Sequence, residues 1–420
     1  MAFPGSHEPI VLHCDNVWID PPGHFEPKSV EMAGGRIEAV RDRTPAPATG
    51  TSNTGIDLGG AYLMPGLINT HVHLEFSASP YPLRDFNGES VSARMARAIR
   101  NARSMLRSGV TTVRDCGSSL DLLYHVRRNR DRHVLPRLLL SGPPITVPGG
   151  HLGVFGGEVR GPDDVAAVVS RLISAGAMSL KLMGSGGVMT PGTHPENVAF
   201  SQDLFCQVAD AARTHNVASV VHVLATKSVK RAALARFDSL EHCAFFCRSA
   251  NGRLERKYDA VVAGIVADCG VAIMANLSTA TRSHGTLLLE GKQGNLDSQH
   301  ALDQHDVMLE NFAKFVDLGI PIVCGTDAGV RDTPFEDTWV ELELMARSGM
   351  SNVEVIRSAS LTGAHVLKLD GKVGRIAAGY SADFVVLKES PLSDISSYRC
   401  PLDVFSAGHR IDLASSSGTG

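Results

Sequence analysis

Eight short apolar runs with strand character, separated by helical stretches, occupy the chain from about residue 63 to residue 369, and this alternation constrains the fold most. The runs are GLINTH (66–71), VTTVRD (110–115), PRLLLS (136–141), AMSLKLM (177–183), VASVVHV (217–223), SLEHC (239–243), GVAIMAN (270–276) and IPIVCGTD (320–327). Apolar strands that alternate with helices are typical of a parallel sheet covered on both faces, and eight strands close a (β/α)8 barrel. We therefore predict the α/β class, with a TIM-type barrel over residues 63–370. A doubly wound open sheet is the alternative, but no glycine-rich phosphate loop follows the first run.

The two ends of the chain have a different pattern, in which short alternating apolar stretches are interrupted by glycine. The N-terminal part contains PIVLHCDNVWI and IDLGGAYLMPG, and the C-terminal part contains GRIAAGYSADFVVL and PLDVFSAGHRID. Such stretches are typical of strands joined by tight turns. We predict that residues 1–62 and 371–412 together form a small β-sandwich and that residues 413–420 are a flexible tail.

Charge and composition limit the class of partner. The 420 residues include 40 Lys and Arg against 44 Asp and Glu, a formal net charge of −4. Because neither sign dominates, the basic surface of a nucleic-acid-binding or peripheral membrane protein is missing, and we predict a small-molecule substrate with neither nucleic acid nor membrane as partner. No leader-like segment and no window of about 18 apolar residues occurs, which predicts a soluble, cytoplasmic protein. The eight cysteines are scattered, which argues against a disulfide framework.

Ionisable residues lie in or at the ends of five of the predicted strands. His71 and His73 are two positions apart at the end of the first run, so both imidazoles lie on one face of a strand and can reach one metal ion. In a barrel these strand ends open into one mouth, where active sites lie. Each residue alone is more often structural, but six of them in apolar runs, where an unpaired charge is costly, predict one shared site. The other four are Lys181, His222, His242 and Asp327.

Lys181 is unusual in this set, because its ammonium group would be repelled by a bound cation unless it pairs with a carboxylate or is itself modified. A family resemblance accounts for it. The chain contains, in order, PGLINTHVH, GVTTVRDCG, GGH, KLMGSGGVMTP, VVHV, LEHC, GTDAGV and GRIAAGYSADFVVL. This ordered set resembles the metal-dependent amidohydrolase superfamily, and within it the branch of prolidase-like metallo-carboxypeptidases and imidazolonepropionase-related amidohydrolases. The resemblance covers nearly the whole chain.

The resemblance implies a binuclear metal site. His71, His73 and Asp327 would hold one divalent ion, and His222 and His242 the other. The Lys181 amine would take up CO2, and the resulting carbamate would bridge the two ions. Imidazole and carboxylate ligands suit Zn2+, which we expect, although cobalt, manganese or iron would also fit. Members of the family are often homo-oligomers. For this chain the expectation of a homo-oligomer rests on that analogy alone.

The resemblance also implies a reaction. We expect hydrolysis of a C–N amide bond, in an N-acyl amino acid or dipeptide-like small molecule, by attack of a metal-bridging hydroxide with Asp327 as general base and then general acid. His151, in the GGHLG stretch, matches a family position that contacts substrate. It is predicted as a second catalytic residue that supports the developing oxyanion or a substrate carboxylate.

The substrate itself is less constrained. A free carboxylate on the substrate needs a cationic or hydroxyl partner. Two of the candidates, Arg114 and Arg331, could instead form structural ion pairs with Asp115 and Asp332. Relatives often read His-Ala-His-Gly after the fifth strand, whereas this chain reads HVLAT, so Leu224 replaces a histidine and reshapes the pocket. Residues 276–310 are predicted as a loop, either a lid over the site or a solvated excursion. The candidate carboxylate partners are Arg114, His194, Arg282, His284 and Arg331.

Several alternatives remain open. One is hydrolysis of a cyclic amide or a deamination, although deaminases of this superfamily usually lack the strand-four lysine that Lys181 represents. A lactonase or phosphotriesterase is a second, because an activated hydroxide also attacks esters. A non-catalytic relative is a third, but such proteins typically lose ligands that this chain retains. Cys243 and Cys247 are better explained as structural thiols than as metal ligands.

Overall fold

The computed structural model describes residues 10–43, 55–129, 134–282 and 296–414, with side chains from residue 303 onward in the last range. The strands are β1 (Ile10–Ile19), β2 (His24–Ala33), β3 (Arg36–Asp42), β4 (Gly55–Pro65), β5 (Leu67–Val72), β6 (Val110–Asp115), β7 (Arg137–Leu140), β8 (Ser179–Met183), β9 (Ala218–His222), β10 (Ser239–Glu241), β11 (Phe246–Arg248), β12 (Leu254–Arg256), β13 (Ala272–Met274), β14 (Phe384–Leu387), β15 (Asp403–Ser406) and β16 (His409–Arg410).

The helices lie mostly between the parallel strands. They are α1 (Pro82–Gly88), α2 (Val91–Arg107), α3 (Leu120–Arg128), α4 (Pro162–Ala175), α5 (Gln202–Thr214), α6 (Thr226–Leu234), α7 (Ala260–Cys269), α8 (Leu296–Asp317), α9 (Thr338–Arg347), α10 (Asn352–Ser358) and α11 (Leu361–Val366). Among the described residues, no helix is both long enough and apolar enough to cross a membrane.

Both ends of the chain contribute to one seven-stranded sheet, in the order β16-β15-β14-β4-β1-β2-β3. The C-terminal strand β14 pairs antiparallel with β4, with Val385 opposite Met64. The prediction that the two ends share a small sheet is therefore confirmed. The boundaries at residues 62, 370 and 412 stay predictions, and β4 continues to Pro65. Residues 415–420 of the predicted tail lie outside the described residues.

The middle of the chain has the parallel α/β arrangement of a TIM-barrel-type fold. Three strands pair in the order β5-β6-β7 and four in the order β13-β10-β9-β8. The two groups meet where Met178 N–H donates to the Leu140 carbonyl at 2.9 Å. Seven of the eight predicted runs contain one of these strands.

The eighth predicted run, residues 320–327, is an exception. Across these fully described residues the chain makes isolated bridges rather than a regular strand: Ile322 bridges to Ile273, and the following Ala328 bridges to Val72. Pro321 lacks a donor, and the positive φ of 58° at Asp327 ends the extended conformation. Hydrogen bonds still pass from β13 through this run to β5, because Val323 N–H donates to the Ile273 carbonyl at 3.0 Å and Asp327 N–H donates to the His71 carbonyl at 2.8 Å.

Helix α2 shows how the helices are fixed against the sheets. Its Ser90 N-cap accepts a hydrogen bond from the Ala93 N–H, and its buried apolar residues recur every three or four positions. The chain then turns at Gly109, with φ +94°, where a Cβ would lie 2.9 Å from Val385 of the seven-stranded sheet. Glycine at this turn therefore allows close contact between the small sheet and the α/β part of the molecule.

The prediction of a loop over residues 276–310 was wrong in part. Residues 277–282 are helical and helix α8 begins at Leu296, so most of the described part of this segment is helical. Residues 283–295, which include the predicted candidate His284, lie outside the described residues. His305 of α8 lines a cavity at the ends of the parallel strands.

Candidate metal centre and active site

A cavity of about 1040 Å3 opens at the carboxyl ends of the parallel strands. The predicted site residues come from β5, β8, β9, the ends of β10 and of the eighth run, and the loop after β7. The structure brings all seven into the wall of this one cavity: His71, His73, His151, Lys181, His222, His242 and Asp327.

Three of these residues form a compact triangle of donor atoms. His71 Nε2 and His73 Nε2 are 3.4 Å apart, and each is 3.3 Å from Asp327 Oδ1. A tetrahedral shell with metal–ligand bonds of about 2.0–2.1 Å places its donors about 3.3 Å apart. Two imidazole nitrogens and one carboxylate oxygen at this spacing therefore fit a divalent ion such as Zn2+.

A second group of donors adjoins the first. The His222 and His242 rings are 4.7 Å apart between centroids, and His242 is 5.3 Å from His71. Lys181 also lines the cavity and is 1% exposed, yet its Nζ has no hydrogen-bond partner among the described residues. Burying an amine without a hydrogen-bond partner costs free energy. We therefore expect a group that is not part of the polypeptide to contact the Lys181 amine.

Backbone conformation directs two of these side chains into the cavity. His242 and Asp327 have φ values of 73° and 58°, in the left-handed region that non-glycine residues rarely adopt. Each residue follows directly after a strand or strand-like run, so the turn redirects its side chain from the sheet face toward the mouth. Conformational strain of this kind clusters at functional sites.

Burial keeps the imidazoles of the second group neutral. It lowers the pKa of His222 well below its ordinary value, with help from the neighbouring His242, and lowers the pKa of His242 to about 4. Burial would raise the pKa of Asp327, but the adjacent His71 outweighs it and holds this pKa well below its usual range. Burial would also lower the pKa of His71, but its acidic neighbours outweigh burial and raise this pKa well above its ordinary value. A metal ion binds a neutral imidazole and an ionised carboxylate, so binding at His71 Nε2 would displace a proton from this ring.

Glu241 is a buried residue of the site that the sequence analysis missed. Its carboxylate accepts a hydrogen bond from His71 Nδ1, from Ser239 Oγ at 2.6 Å and from Arg114 Nη2 at 3.1 Å. Burial alone would raise the pKa of Glu241, but Arg114 and His71 hold it below its usual value. A carboxylate behind a metal-binding imidazole fixes the ring and leaves the other nitrogen, here Nε2, free for the metal. Glu241 is visible in the run SLEHC, directly before His242. A single glutamate has no second residue at a fixed spacing, so the sequence pattern does not indicate its role.

This network corrects the prediction for Arg114. The side chain is fully buried, it pairs with Glu241 rather than with Asp115, and its Nε donates to the Thr70 carbonyl at 2.7 Å. It is therefore a structural residue behind His71 and not a partner for a substrate carboxylate.

Other predicted carboxylate partners are also engaged or lie elsewhere. Arg282 forms an ion pair with Asp337. His194 is exposed and outside the cavity wall. Arg331 does line the cavity, but it is exposed and donates to the Pro80 carbonyl at 3.2 Å.

His151 lies against the second group of donors, as its predicted role requires. Its ring is 4.7 Å from that of His222, and its Nδ1 is 3.0 Å from Thr190 Oγ1. Thr190 Oγ1 already accepts a hydrogen bond from the Leu152 N–H at 3.1 Å, so its own hydroxyl proton can be donated to Nδ1. In that tautomer the Nε2–H of His151 is free to donate to a substrate oxygen. Burial lowers the pKa of His151 to about 3, so the ring is neutral.

The rest of the cavity wall is largely apolar. Leu224, at the position where relatives often carry a histidine, is buried and lines the cavity. A cavity of this size with a few convergent polar groups is typical of a small-molecule site. The apolar wall also includes Leu152, Met183, Met189, Phe246, Leu254, Met308 and Val330.

The chain is similar to several known proteins. The chain is 27% identical to an ochratoxinase from Aspergillus niger over 374 residues, which covers 81% of this chain and 72% of the relative. It is 24% identical to an imidazolonepropionase from Ralstonia nicotianae, with 92% of each chain covered. A crystal structure of an Xaa-Pro dipeptidase with bound methionine superposes with a TM-score of 0.82 at 24% identity, covering 96% of this chain and all of the other. That likeness concerns the fold.

The sequence profile of the amidohydrolase family matches residues 62–411, which includes every predicted site residue. The resemblance seen in the sequence motifs is thus confirmed. Relatives of this family are hydrolases acting on carbon–nitrogen bonds of small molecules. The chain belongs to the amidohydrolase family.

Proposed function

We propose that this enzyme is a binuclear metal-dependent hydrolase that cleaves the amide bond of an N-acyl amino acid or dipeptide-like small molecule. The His71, His73 and Asp327 triangle would hold one ion, and His222 and His242 the other. Spacing of about 3.3 Å within the triangle and neutral imidazoles in the second group support this assignment.

The observation that carries the proposal is the buried Nζ of Lys181, which has no hydrogen-bond partner within the part of the chain that the structure describes. A neutral lysine amine takes up CO2 by forming an N–C bond and releasing a proton, which gives a carbamate whose single negative charge is shared by two oxygens. One oxygen would be a ligand beside each of the two donor groups. The Lys181 ammonium, which would repel a metal ion, would thus be replaced by an anion. The carbamate and the choice of Zn2+ remain predictions, as do the closed eight-stranded barrel, the sandwich, the cytoplasmic location and a homo-oligomer.

The side chains have distinct tasks in this reaction. Two bound divalent ions would lower the pKa of a water between them and polarise the scissile carbonyl. The Asp327 carboxylate accepts the proton of the attacking water and then passes it to the leaving nitrogen. His151 donates its Nε2–H to the carbonyl oxygen as negative charge develops there. The apolar wall around Leu224 and Phe246 excludes water from the acyl group.

Metal analysis and substrate screening test the proposal together. We expect about two divalent ions per chain, fewer in Lys181→Ala, and no change in Lys230→Ala, an exposed lysine used as control. The metal-loaded protein is then screened against N-acyl amino acids, dipeptides, cyclic amides, lactones and phosphotriesters. Asp327→Asn should lower amide hydrolysis by about 100-fold or more. Unchanged activity in Asp327→Asn, or activity confined to esters, would contradict the proposal.

A further inference from the structure

Strands β11 and β12 form a hairpin beside the candidate site. The Phe246 N–H donates to the Leu224 carbonyl at 2.7 Å, so the hairpin is fixed to the loop that follows His222. Phe246, Leu254 and Arg256 of the hairpin all line the cavity. Arg256 is therefore a cationic residue in the cavity wall, contributed by strand β12, which the sequence analysis did not predict.

The Arg256 guanidinium stacks on an aromatic ring but has no counter-ion. Its Cζ lies 4.5 Å from the centroid of the Phe246 ring. Within the described part of the chain it forms no ion pair and donates no side-chain hydrogen bond, whereas its backbone N–H donates to the Gln304 side chain. Phe246 and the Gln304 contact hold the residue in place, so its planar face is fixed and its N–H groups are unused.

The other arginines near the site differ from Arg256, because each contacts a carboxylate or, like Arg331, is exposed and donates a hydrogen bond. Arg114 and Arg282 are paired with Glu241 and Asp337. Arg84, in the cavity wall, has a side chain that is 74% exposed and lies 3.7 Å from Asp85. A half-buried guanidinium with five donors and no anion pays a desolvation cost that an anionic ligand would offset.

We propose that Arg256 binds a carboxylate of the substrate through its guanidinium fork. This inference rests on the proposed amide hydrolysis and specifies it: the enzyme selects amides whose amine half carries a free α-carboxylate over otherwise identical neutral amides. Burial lowers the pKa of Arg256 to about 10, which still leaves the group charged at neutral pH. A paired N–H···O contact to a carboxylate is the geometry for which arginine is best suited.

A matched pair of substrates tests the inference. N-benzoyl-L-leucine and N-benzoyl-L-leucinamide differ only in the terminal carboxylate, and benzoate release is measured by chromatography with the metal-loaded enzyme. We expect kcat/KM to be about 100-fold higher for the acid in the wild type. Arg256→Gln should lower the value for the acid by about 100-fold and leave the value for the amide within about twofold. Arg256→Lys should lower kcat/KM for the acid by less than Arg256→Gln does, because lysine keeps the positive charge but not the planar guanidinium fork.

Arg253→Gln, an exposed arginine of the same hairpin outside the cavity wall, is the control and should change neither value. Equal rates for acid and amide in the wild type would overturn the role of Arg256 but leave amide hydrolysis intact. If neither compound is hydrolysed, the proposed function is in doubt, and calorimetry still tests Arg256. The acid should bind the wild type and lose about 100-fold in affinity in Arg256→Gln. Absence of binding, or equal affinity for acid and amide, would overturn the inference.

Discussion

Glycine at position 187 permits the His151 imidazole to lie beside His222. A Cβ at Gly187 would lie 2.5 Å from His151 Nε2, closer than real contacts allow. We therefore predict that Gly187→Ala displaces the ring and lowers kcat by about 10- to 100-fold, because a shift of about 1 Å in a positioned group is enough for this. Steady-state kinetics with the substrate found in screening measure it.

Gly264→Ala provides the comparison for this variant. Gly264 lies within α7, has ordinary backbone angles and has no atom within 4 Å of a Cβ. Alanine there should leave kcat unchanged and raise the free energy of unfolding by about 0.5–1 kcal/mol. If Gly187→Ala retains wild-type kcat, His151 does not need its observed position and its assigned task is wrong.

Glu241 gives a second prediction at the same scale. Glu241→Gln leaves the buried Arg114 without its counter-ion and replaces the charged acceptor that orients His71 with a neutral amide. We expect a loss of about 3–5 kcal/mol in the free energy of unfolding and a loss of about 10- to 100-fold in metal affinity. Chemical denaturation and metal titration measure the two effects separately.

The double variant Arg114→Met/Glu241→Gln serves as the control, because it removes the charge pair as a unit. It should be more stable than Glu241→Gln alone while metal affinity stays low, since His71 still lacks a charged acceptor. Stability and affinity recovering together would show that Glu241 acts only as a counter-ion for Arg114.

At the scale of single elements, α9 supports the site through the chain segment that follows β13. Glu341 of α9 is fully buried and accepts hydrogen bonds from the backbone N–H groups of Leu277 and Ser278, at 2.9 and 2.7 Å. The preceding Asn276 contacts His242 Nδ1 through its side-chain oxygen at 2.9 Å. Glu341 thus positions, through Asn276, an imidazole of the second donor group.

Titration of Glu341 makes stability depend on pH. Burial raises the pKa of Glu341 to about 7 from its ordinary value of 4.5, so between these values the folded chain binds more protons than the unfolded chain. The free energy of unfolding should therefore fall as pH rises from about 4.5 to about 7, by on the order of 3 kcal/mol from this residue. Glu341→Gln cannot titrate, so this part of the dependence should disappear in urea denaturation across that range.

Glu343→Gln, on the same helix and paired with Arg347, is the matched control for this series. If Glu341→Gln and the wild type show parallel pH dependence, Glu341 is ionised throughout, and its backbone hydrogen bonds outweigh its burial. That result would assign Glu341 the role of a charged cap rather than a neutral one.

The sequence predicted elements well where one local pattern decides them. The run VTTVRD coincides with β6. Both faces of this strand are buried, so its residues are apolar or have polar partners inside the protein, which gives the run its recognisable pattern. The regular strand over 320–327 was wrong because Pro321 and the left-handed Asp327 interrupt pairing, which hydropathy does not record. The start of α8 was missed because residues 276–310 carry no continuous apolar stripe.

The residues of the candidate site likewise fall into those that a local sequence pattern predicts and those that it does not. His71 and His73 could be predicted from their spacing, because a strand places alternate residues on one face. Arg114, Glu241 and Arg256 could not be assigned, because their roles depend on contacts between residues far apart in sequence. Glu241 meets Arg114 across 127 positions.

At the scale of the whole molecule, the seven-stranded sheet and the α/β part share one continuous core. Val385 of β14 is fully buried, pairs opposite Met64 and occupies the space left by Gly109 at the end of α2. Arg137 of β7 also forms an ion pair with Asp383 at 3.0 Å. These contacts couple the two parts, so we predict that they unfold together in one transition.

Val385→Ala tests this coupling, because it removes packing that both parts share. The variant should lose about 2–3 kcal/mol of unfolding free energy while the transition stays single. The chain has two tryptophans, Trp18 in the sheet and Trp339 in α9, so a Trp339→Phe background lets fluorescence report on the sheet alone. Far-UV circular dichroism follows the helices of the α/β part in the same samples. If fluorescence changes before the helical signal in Val385→Ala, the small sheet unfolds independently, and the shared core is too weak to couple the two parts.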